Sequence, residues 1–98
     1  MNNEPLAPRV YLDAIHQIEQ ALDAVVDHGS DDELFVASYL QGHFAVESKR
    51  LEMDDEATLE KLNDIMQASL NHAFEAGELE SEDQIHVSAL WKKLSGNL

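Results

Sequence analysis

The sequence contains no cysteine and only two prolines, and both shortages limit what the protein can be. Without thiols the protein forms no disulfide and no thiolate metal site, which leaves histidine, carboxylate and hydroxyl groups for chemistry. The prolines, Pro5 and Pro8, lie near the N-terminus, so no proline interrupts a helix in residues 9–98. No apolar run approaches the ~20 residues that a membrane-spanning helix needs.

Basic residues are also scarce. Six Lys and Arg side chains accompany twenty Asp and Glu side chains, which gives a formal net charge of −14 over 98 residues. Because phosphate contacts need clustered basic side chains, we expect no nucleic-acid binding and no binding to an anionic membrane. Strong net charge generally favours solubility, and an acidic imitation of DNA is an alternative interpretation. A partner should be basic or apolar.

The N-terminus shows no charged segment followed by an apolar one. We therefore expect no secretory signal and a cytoplasmic location. Residues 1–7 are predicted to be a flexible tail, because the prolines forbid a helix before Pro8. The length suits one domain, which we place at residues 8–98.

Apolar residues recur at helical spacing from about Pro8 to His28, which predicts a first amphipathic helix. These residues are Tyr11, Ile15, Ile18, Leu22 and Val25. A sharp helix–helix corner follows. Ser30 and Glu33 have the spacing of a capping box, in which each residue binds the backbone N–H of the other. Gly29 suits the left-handed position that closes many helices.

The second predicted helix, from Asp31 to about Arg50, carries two apolar stripes on nearly opposite sides. The first stripe consists of Leu34, Ala37, Leu40, Phe44 and Leu51. The second stripe consists of Phe35, Tyr39 and Val46, with Gly42 beside it. Two stripes indicate either a central helix or a surface for another chain, since a simple bundle uses one arc of each helix. Alternatively, the tail or the fourth helix covers the second stripe within the monomer. A glycine inside a helix costs ~1 kcal/mol and often marks the close approach of another backbone.

A third helix is expected to begin after a cap at Asp54 or Asp55 and to run to about Ala76, where Gly77 closes it. Its inner face consists of Leu59, Leu62, Met66, Ser69, Leu70 and Ala73. This is the helical periodicity of one buried face.

A second capping-box spacing, from Ser81 to Gln84, starts a fourth helix that runs from about Glu82 to Ser95. Its apolar side consists of Val87, Leu90, Trp91 and Leu94. No alternating apolar run indicates a strand. Short connections make neighbouring helices antiparallel, so the predicted fold is all-α, an up-down-up-down four-helix bundle.

Several motifs resemble the YfcL family of small gammaproteobacterial proteins. The most specific is VDHGSDDELF at residues 26–35. The other matching segments are residues 39–40, 42–43, 69–70, 76–79 and 83–84. The sequence departs from the family at Glu80-Ser81, where Ser-Pro is expected, which allows the cap of the fourth helix to move by one residue. The resemblance implies a small helical bundle and brings no catalytic residue with it.

Five histidines raise a metal-binding hypothesis. His16 and His86 each lie three residues after an aspartate, but both are off the apolar faces of their helices and are expected at the surface. The remaining weak candidates are His43 and Glu47, one turn apart, and His72 on the third helix. They would hold a divalent ion only if the second and third helices bring them together. The alternative is a half-buried His43 that hydrogen-bonds a carbonyl or carboxylate.

We expect a non-enzymatic protein-interaction or assembly module without a cofactor. The sequence shows no phosphate-binding loop, nucleophile elbow or EF-hand spacing. The candidate surface is an apolar strip with an acidic rim on the second helix. Its residues are Asp31, Asp32, Phe35, Tyr39, Gly42, His43 and Val46. Such a strip accepts a basic or apolar partner helix, or a second copy of the chain. A divalent-metal-binding protein or metal-dependent enzyme and an acidic DNA mimic are the alternatives.

Overall fold

In a computed structural model, which describes residues 5–96, four helices pack around one core. The helices are α1 (Arg9–His28), α2 (Asp31–Leu51), α3 (Leu59–Glu75) and α4 (Ser81–Gly96). No strand occurs in this part of the chain, so the predicted all-α helical bundle is confirmed. Helix α2 packs against all three of the other helices, which makes it the central helix of the bundle.

The centre of the core is aromatic. Trp91 of α4 is fully buried, and the centroid of its ring lies 6.1 Å from the ring centroid of Phe44 on α2. The indole N–H of Trp91 donates to Oδ1 of Asn63 on α3 at 2.8 Å, so burial leaves this polar group bonded. The other large side chains that are fully buried are Tyr11, Ile18, Leu22, Leu40, Leu62, Met66, Leu70 and Val87. All four helices therefore contribute to one continuous apolar interior.

The corner between α1 and α2 forms as the sequence predicts at Ser30. Its hydroxyl accepts from the Glu33 N–H at 3.3 Å, and its own N–H donates to Glu33 Oε1 at 3.0 Å. These bonds hold the pKa of Glu33 below its usual value. The prediction that Gly29 adopts the left-handed conformation is wrong, because its backbone is extended, with φ −78°. Glycine is needed there for space, since a Cβ would lie 2.6 Å from the Val25 carbonyl oxygen.

The end of α2 is capped by the N-terminal segment. The hydroxyl of Tyr11 donates to the Ser48 carbonyl oxygen at 2.8 Å, and the N–H groups of Leu6 and Ala7 donate to the Glu52 carbonyl oxygen at 2.8 and 2.9 Å. A helix end leaves carbonyl groups without intrahelical partners, and these donors satisfy them. Of the predicted flexible tail, residues 1–4 lie outside the described part of the chain. The backbone of Leu6 and Ala7 is hydrogen-bonded, and Ala7 is buried while Leu6 is 60% exposed.

The connection between α2 and α3 differs from the prediction. Thr58, rather than Asp54 or Asp55, caps α3, and its hydroxyl accepts from the Lys61 N–H at 3.0 Å. Asp54 instead organises the connection. Its carboxylate accepts from the Lys61 ammonium at 2.8 Å and from the Glu56 N–H at 2.9 Å, and these bonds hold the pKa of Asp54 below its usual value.

The connection between α3 and α4 contains one left-handed residue, Gly77, at φ +79°. This agrees with the prediction that a glycine closes α3. The predicted capping box of Ser81 and Gln84 is wrong, because Ser81 is already helical and the Glu80 carbonyl accepts the first helical bond. The amide of Gln84 donates instead to the Leu79 carbonyl oxygen at 2.9 Å. The cap thus lies one residue earlier, at the position where the family resemblance allowed a shift.

The buried face of α2 is wider than the first stripe. Leu34, predicted to be buried, is 38% exposed. Val36, Glu47 and Ser48 are buried although none was predicted to be, because α2 packs against all three of the other helices. Within residues 5–96, no helix combines the length and the apolar character needed to cross a membrane.

Candidate functional site

The second apolar stripe of α2 lies at the surface of the bundle. We define the α2 strip as Phe35, Tyr39, Gly42 and Val46, which follow one another at helical spacings of four, three and four residues. Phe35 is 49% exposed and Val46 is 59% exposed. Gly42 is exposed, and a Cβ added to it would meet no atom within 4 Å. Apart from the half-buried Tyr39, this stripe is therefore not covered by any part of the chain between residues 5 and 96.

Tyr39 is the fixed member of the strip. It is half-buried, and its hydroxyl donates to Glu78 Oε1 at 2.9 Å. The centroid of its ring also lies 4.9 Å from the ring centroid of His43. Burial, together with the hydrogen bond and the charge of Glu78, raises the pKa of Tyr39 to about 12. The phenol is therefore neutral at physiological pH, and its ring has little freedom to move.

The predicted approach of another backbone at Gly42 does not occur within residues 5–96. The glycine instead lies in an open depression of about 470 Å³. Its lining residues are Tyr39, Gly42, His43, Val46 and Ser69. A helical glycine with no neighbour costs the monomer stability and gives it no packing in return. Gly42 does provide space beside the ring of Tyr39 for a side chain of another protein chain.

The predicted metal ligands are not brought together. Nδ1 of His43 lies 2.9 Å from the Ser69 hydroxyl, so this half-buried histidine has a hydroxyl partner where a carbonyl or carboxylate was expected. Glu47 is buried and accepts from Arg50 at 3.1 Å, while His72 is exposed. Across residues 5–96, no three histidine or carboxylate side chains form a group able to hold a metal ion. The metal hypothesis therefore finds no ligand set here.

His16 and His86 are both exposed, as predicted from the helical periodicity. His86 lines a second depression, of about 290 Å³, between α2 and α4. A third, of about 480 Å³, lies where the start of α1 meets the start of α3. Its ionisable lining residues are Tyr11, which is buried, and Asp13, which pairs with Arg9 at 3.2 Å.

The charges at the two ends of the α2 strip have opposite signs. Asp31 and Asp32 lie in the first turn of α2, where negative charge interacts favourably with the helix dipole. Lys49 and Arg50 lie in its last turn. Arg50 pairs with Glu47 but its side chain is 74% exposed, and Lys49 forms no ion pair with any residue from 5 to 96. The acidic rim predicted for the strip is therefore present at only one of its ends.

The sequence did not predict the contacts that two residues, Glu78 and Ser69, make beside the strip. Glu78 fixes the hydroxyl of Tyr39 from the connection after α3, and Ser69 binds His43 from α3 itself. Both contacts join positions more than twenty-five residues apart, at separations of 39 and 26. Helical periodicity relates only residues on the same helix, so it contains no signal for either contact.

The sequence model of the YfcL protein family matches residues 13–96, which include all of α2, α3 and α4. The chain belongs to the YfcL family. It is 40% identical over 73 residues to a YfcL protein of Escherichia coli (strain K12), and this match covers 74% of the chain and 79% of that relative. The relative is described as uncharacterised, so the similarity implies no activity for this protein. No solved structure matches the chain.

Proposed function

We propose that this YfcL-family protein is a non-enzymatic interaction or assembly module that binds a partner helix along the α2 strip. The observation that carries the proposal is the exposure of Phe35 and Val46 on one helix face, with the open Gly42 between them. Apolar side chains in a row, spaced by one or two helical turns, are the usual anchor points for a helix in a groove.

The other exposed large apolar side chains in residues 5–96 are Leu6, Val10, Leu34, Met53 and Ile85, and no two of them lie on the same helix. Val10 is 82% exposed and Ile85 is 67% exposed, but they lie on different helices and are not spaced along one face. Single apolar residues at a protein surface are normal and need no functional explanation. These two residues therefore provide a matched control for the α2 strip.

The chemistry of the partner follows from the strip. Its contacting face should carry apolar side chains for Phe35 and Val46, and a large side chain opposite Gly42. A net charge of −14 on this chain favours a partner that presents basic groups near Asp31 and Asp32. We propose that this binding involves no catalytic group. We also propose a cytoplasmic location, as expected from the sequence.

The experiment compares the parent protein with two double variants. Phe35→Ser with Val46→Ser removes the apolar row, while Val10→Ser with Ile85→Ser removes as many exposed apolar side chains from other faces. Each protein is immobilised to capture binding proteins from cell extract, and its mass in solution is measured by light scattering.

We expect the strip variant to lose captured partners or self-association that the parent and the control variant keep. All three proteins should unfold at similar temperatures, because the replaced side chains are exposed. The proposal is wrong if the strip variant and the parent show the same captured proteins and the same mass.

A further inference from the structure

The α2 strip has the same spacing when it is followed from either end. Phe35, Tyr39, Gly42 and Val46 are separated by four, three and four residues. Two copies of α2 related by a twofold axis between positions 40 and 41 would run antiparallel. In that pairing Phe35 of one copy lies opposite Val46 of the other, and Tyr39 lies opposite Gly42.

We infer that the partner of the α2 strip is a second copy of this chain, packed antiparallel through α2 in a twofold-symmetric dimer. The inference rests on the proposed function and identifies its partner. A twofold dimer uses the same surface patch on both subunits, so the patch must be complementary to itself. The α2 strip meets this condition in both side-chain size and charge.

The sizes of the paired residues are complementary. Each pair joins a large aromatic ring with a smaller residue, namely Phe35 with Val46 and Tyr39 with Gly42. The space beside Gly42 is open, and the depression of about 470 Å³ there has room for an aromatic ring. The hydroxyl of Tyr39 already donates to Glu78, so packing its ring beside the partner's Gly42 costs less side-chain freedom than ordering a free side chain.

The charges of the paired residues are also complementary. The same twofold axis places Asp31 opposite Arg50 of the second copy and Asp32 opposite its Lys49. Symmetry repeats both pairs, which gives four contacts between opposite charges at the rim. A parallel pair would instead bring each of these residues beside its own equivalent, and like charges facing each other are unfavourable. The charge pattern therefore selects the antiparallel arrangement.

The size of the surface sets the strength of the dimer. Helix α2 has 21 residues and is about 31 Å long at 1.5 Å per residue. A contact face about 10 Å wide buries roughly 300 Å² on each copy, well below the ~800 Å² of a standard interface. We therefore expect a dissociation constant of roughly 10–100 µM. Each copy also has a net charge of −14, so added salt should strengthen the dimer by screening their repulsion.

The first experiment is sedimentation equilibrium of the full chain from about 10 µM to about 1 mM, a range that brackets the expected dissociation constant. We expect the mass to rise from monomer to dimer, and the dimer fraction to increase when NaCl is raised from ~0.15 M to ~0.5 M. Binding of a separate, basic partner would instead weaken when NaCl is raised. A mass that stays monomeric throughout this range overturns the inference.

The orientation is tested with single cysteines, because the chain has none of its own. Phe35→Cys and Val46→Cys variants are mixed in equal amounts and oxidised. In the antiparallel dimer these positions face each other, so the disulfide between the two different variants should predominate. Two copies of Phe35→Cys would have their cysteines about 16 Å apart along the helices, far beyond the reach of a disulfide.

Cross-linking has a matched control and a clear contrary outcome. Val10→Cys mixed with Val46→Cys should give no excess of the mixed disulfide, because Val10 lies on α1 and outside the strip. Parallel packing predicts that Phe35→Cys and Val46→Cys each cross-link with themselves. Predominance of those products, or mixed products no more frequent than in the control, overturns the antiparallel dimer.

A charge exchange tests the rim. Asp32→Lys places two lysines opposite each other, and Lys49→Asp places two aspartates opposite each other. We expect each variant alone to weaken self-association about fivefold. A mixture of the two should restore it, because every facing pair then has opposite charges. A mixture that associates no better than the separate variants contradicts the proposed pairing.

The outcomes separate the dimer from the proposed function. A monomeric chain whose capture of another protein depends on Phe35 and Val46 would rule out the dimer and leave the interaction module standing. If neither self-association nor capture depends on these residues, both proposals are wrong.

Discussion

Tyr11 of α1 donates a hydrogen bond to the backbone carbonyl oxygen of Ser48, in the last turn of α2, at 2.8 Å. The side chain of Tyr11 is 2% exposed, so water does not replace this contact. The bond satisfies a carbonyl group that the end of a helix leaves without an intrahelical partner. It thus joins the first two helices and supports the helix that carries the strip.

We predict that Tyr11→Phe lowers the free energy of unfolding by about 1 kcal/mol, because the Ser48 carbonyl group is left without its donor while the ring stays packed. Urea unfolding followed by the fluorescence of Trp91 measures this change, since Trp91 is the only tryptophan and is fully buried. Tyr39→Phe is the comparison, because its hydroxyl bonds Glu78 at the surface and should contribute less. Equal stability of the parent and Tyr11→Phe would contradict a role for this hydrogen bond.

The same tyrosine makes stability depend on alkaline pH. Burial, with a smaller contribution from the negative charge of Glu52, raises the pKa of Tyr11 to about 12, against an ordinary value of 10.0. Folding therefore favours the protonated phenol, and its contribution to stability is complete below pH 10 and is lost as the pH rises towards 12. We predict a smaller loss of stability over this interval in Tyr11→Phe than in the parent, measured by urea unfolding at each pH. An identical pH dependence in both proteins would show that another group is responsible.

The two serines at predicted helix starts should differ in importance. Ser30 forms both bonds of a capping box, whereas Ser81 is already inside α4. We predict that Ser30→Ala lowers the free energy of unfolding by about 1 kcal/mol. The matched Ser81→Ala should change it by less than about 0.5 kcal/mol, as is usual for surface substitutions. If both variants lose the same stability, the cap does not explain the effect.

Two glycines should respond to alanine in opposite directions. At Gly29 the new Cβ would lie 2.6 Å from the Val25 carbonyl oxygen, so Gly29→Ala should destabilise the protein by about 1–3 kcal/mol. At Gly42 it would meet nothing within 4 Å, so Gly42→Ala should stabilise the monomer by up to about 1 kcal/mol through helix propensity. Thermal unfolding at a few micromolar, where the proposed dimer is dissociated, compares the two variants. A loss of stability in Gly42→Ala would indicate a contact that the open surface does not show.

The excess of negative charge should limit stability at low salt. Twenty acids and six bases repel one another on balance in a folded chain of 98 residues. We predict that the melting temperature rises as NaCl is added, because salt screens this repulsion. The salt is sodium chloride rather than a sulfate, because sulfate also strengthens apolar burial by a separate mechanism. A melting temperature that does not change with salt would show that favourable local pairs offset the repulsion.

The sequence predicted those features that depend on neighbouring residues. The capping box of Ser30 and Glu33 and the left-handed Gly77 need only a few residues to form, so their local patterns were sufficient. Local patterns failed where another acceptor was better placed. Thr58 caps α3 although Asp54 comes earlier, because Asp54 is engaged by Lys61 and the Glu56 N–H.

The candidate site shows the same division. Spacing along one helix identified the row from Phe35 to Val46, but it did not decide which members are free. Tyr39 is held by Glu78 from a distant connection, and Leu34 of the predicted core stripe is exposed. Both outcomes depend on where the other helices lie against α2. The role of the strip in binding stays a prediction that the cross-linking and sedimentation experiments test.

The sequence by itself determined four amphipathic helices and the position of their main corner. These properties follow from periodicity, capping chemistry and composition, which act over a few residues. Only the tertiary structure decided that α2 is central, that His43 contacts Ser69, and that a Cβ at Gly42 would meet no atom of residues 5–96 within 4 Å. The physical reason is that burial and contact depend on which surfaces of separate helices meet, and that is settled by the packing of the whole core.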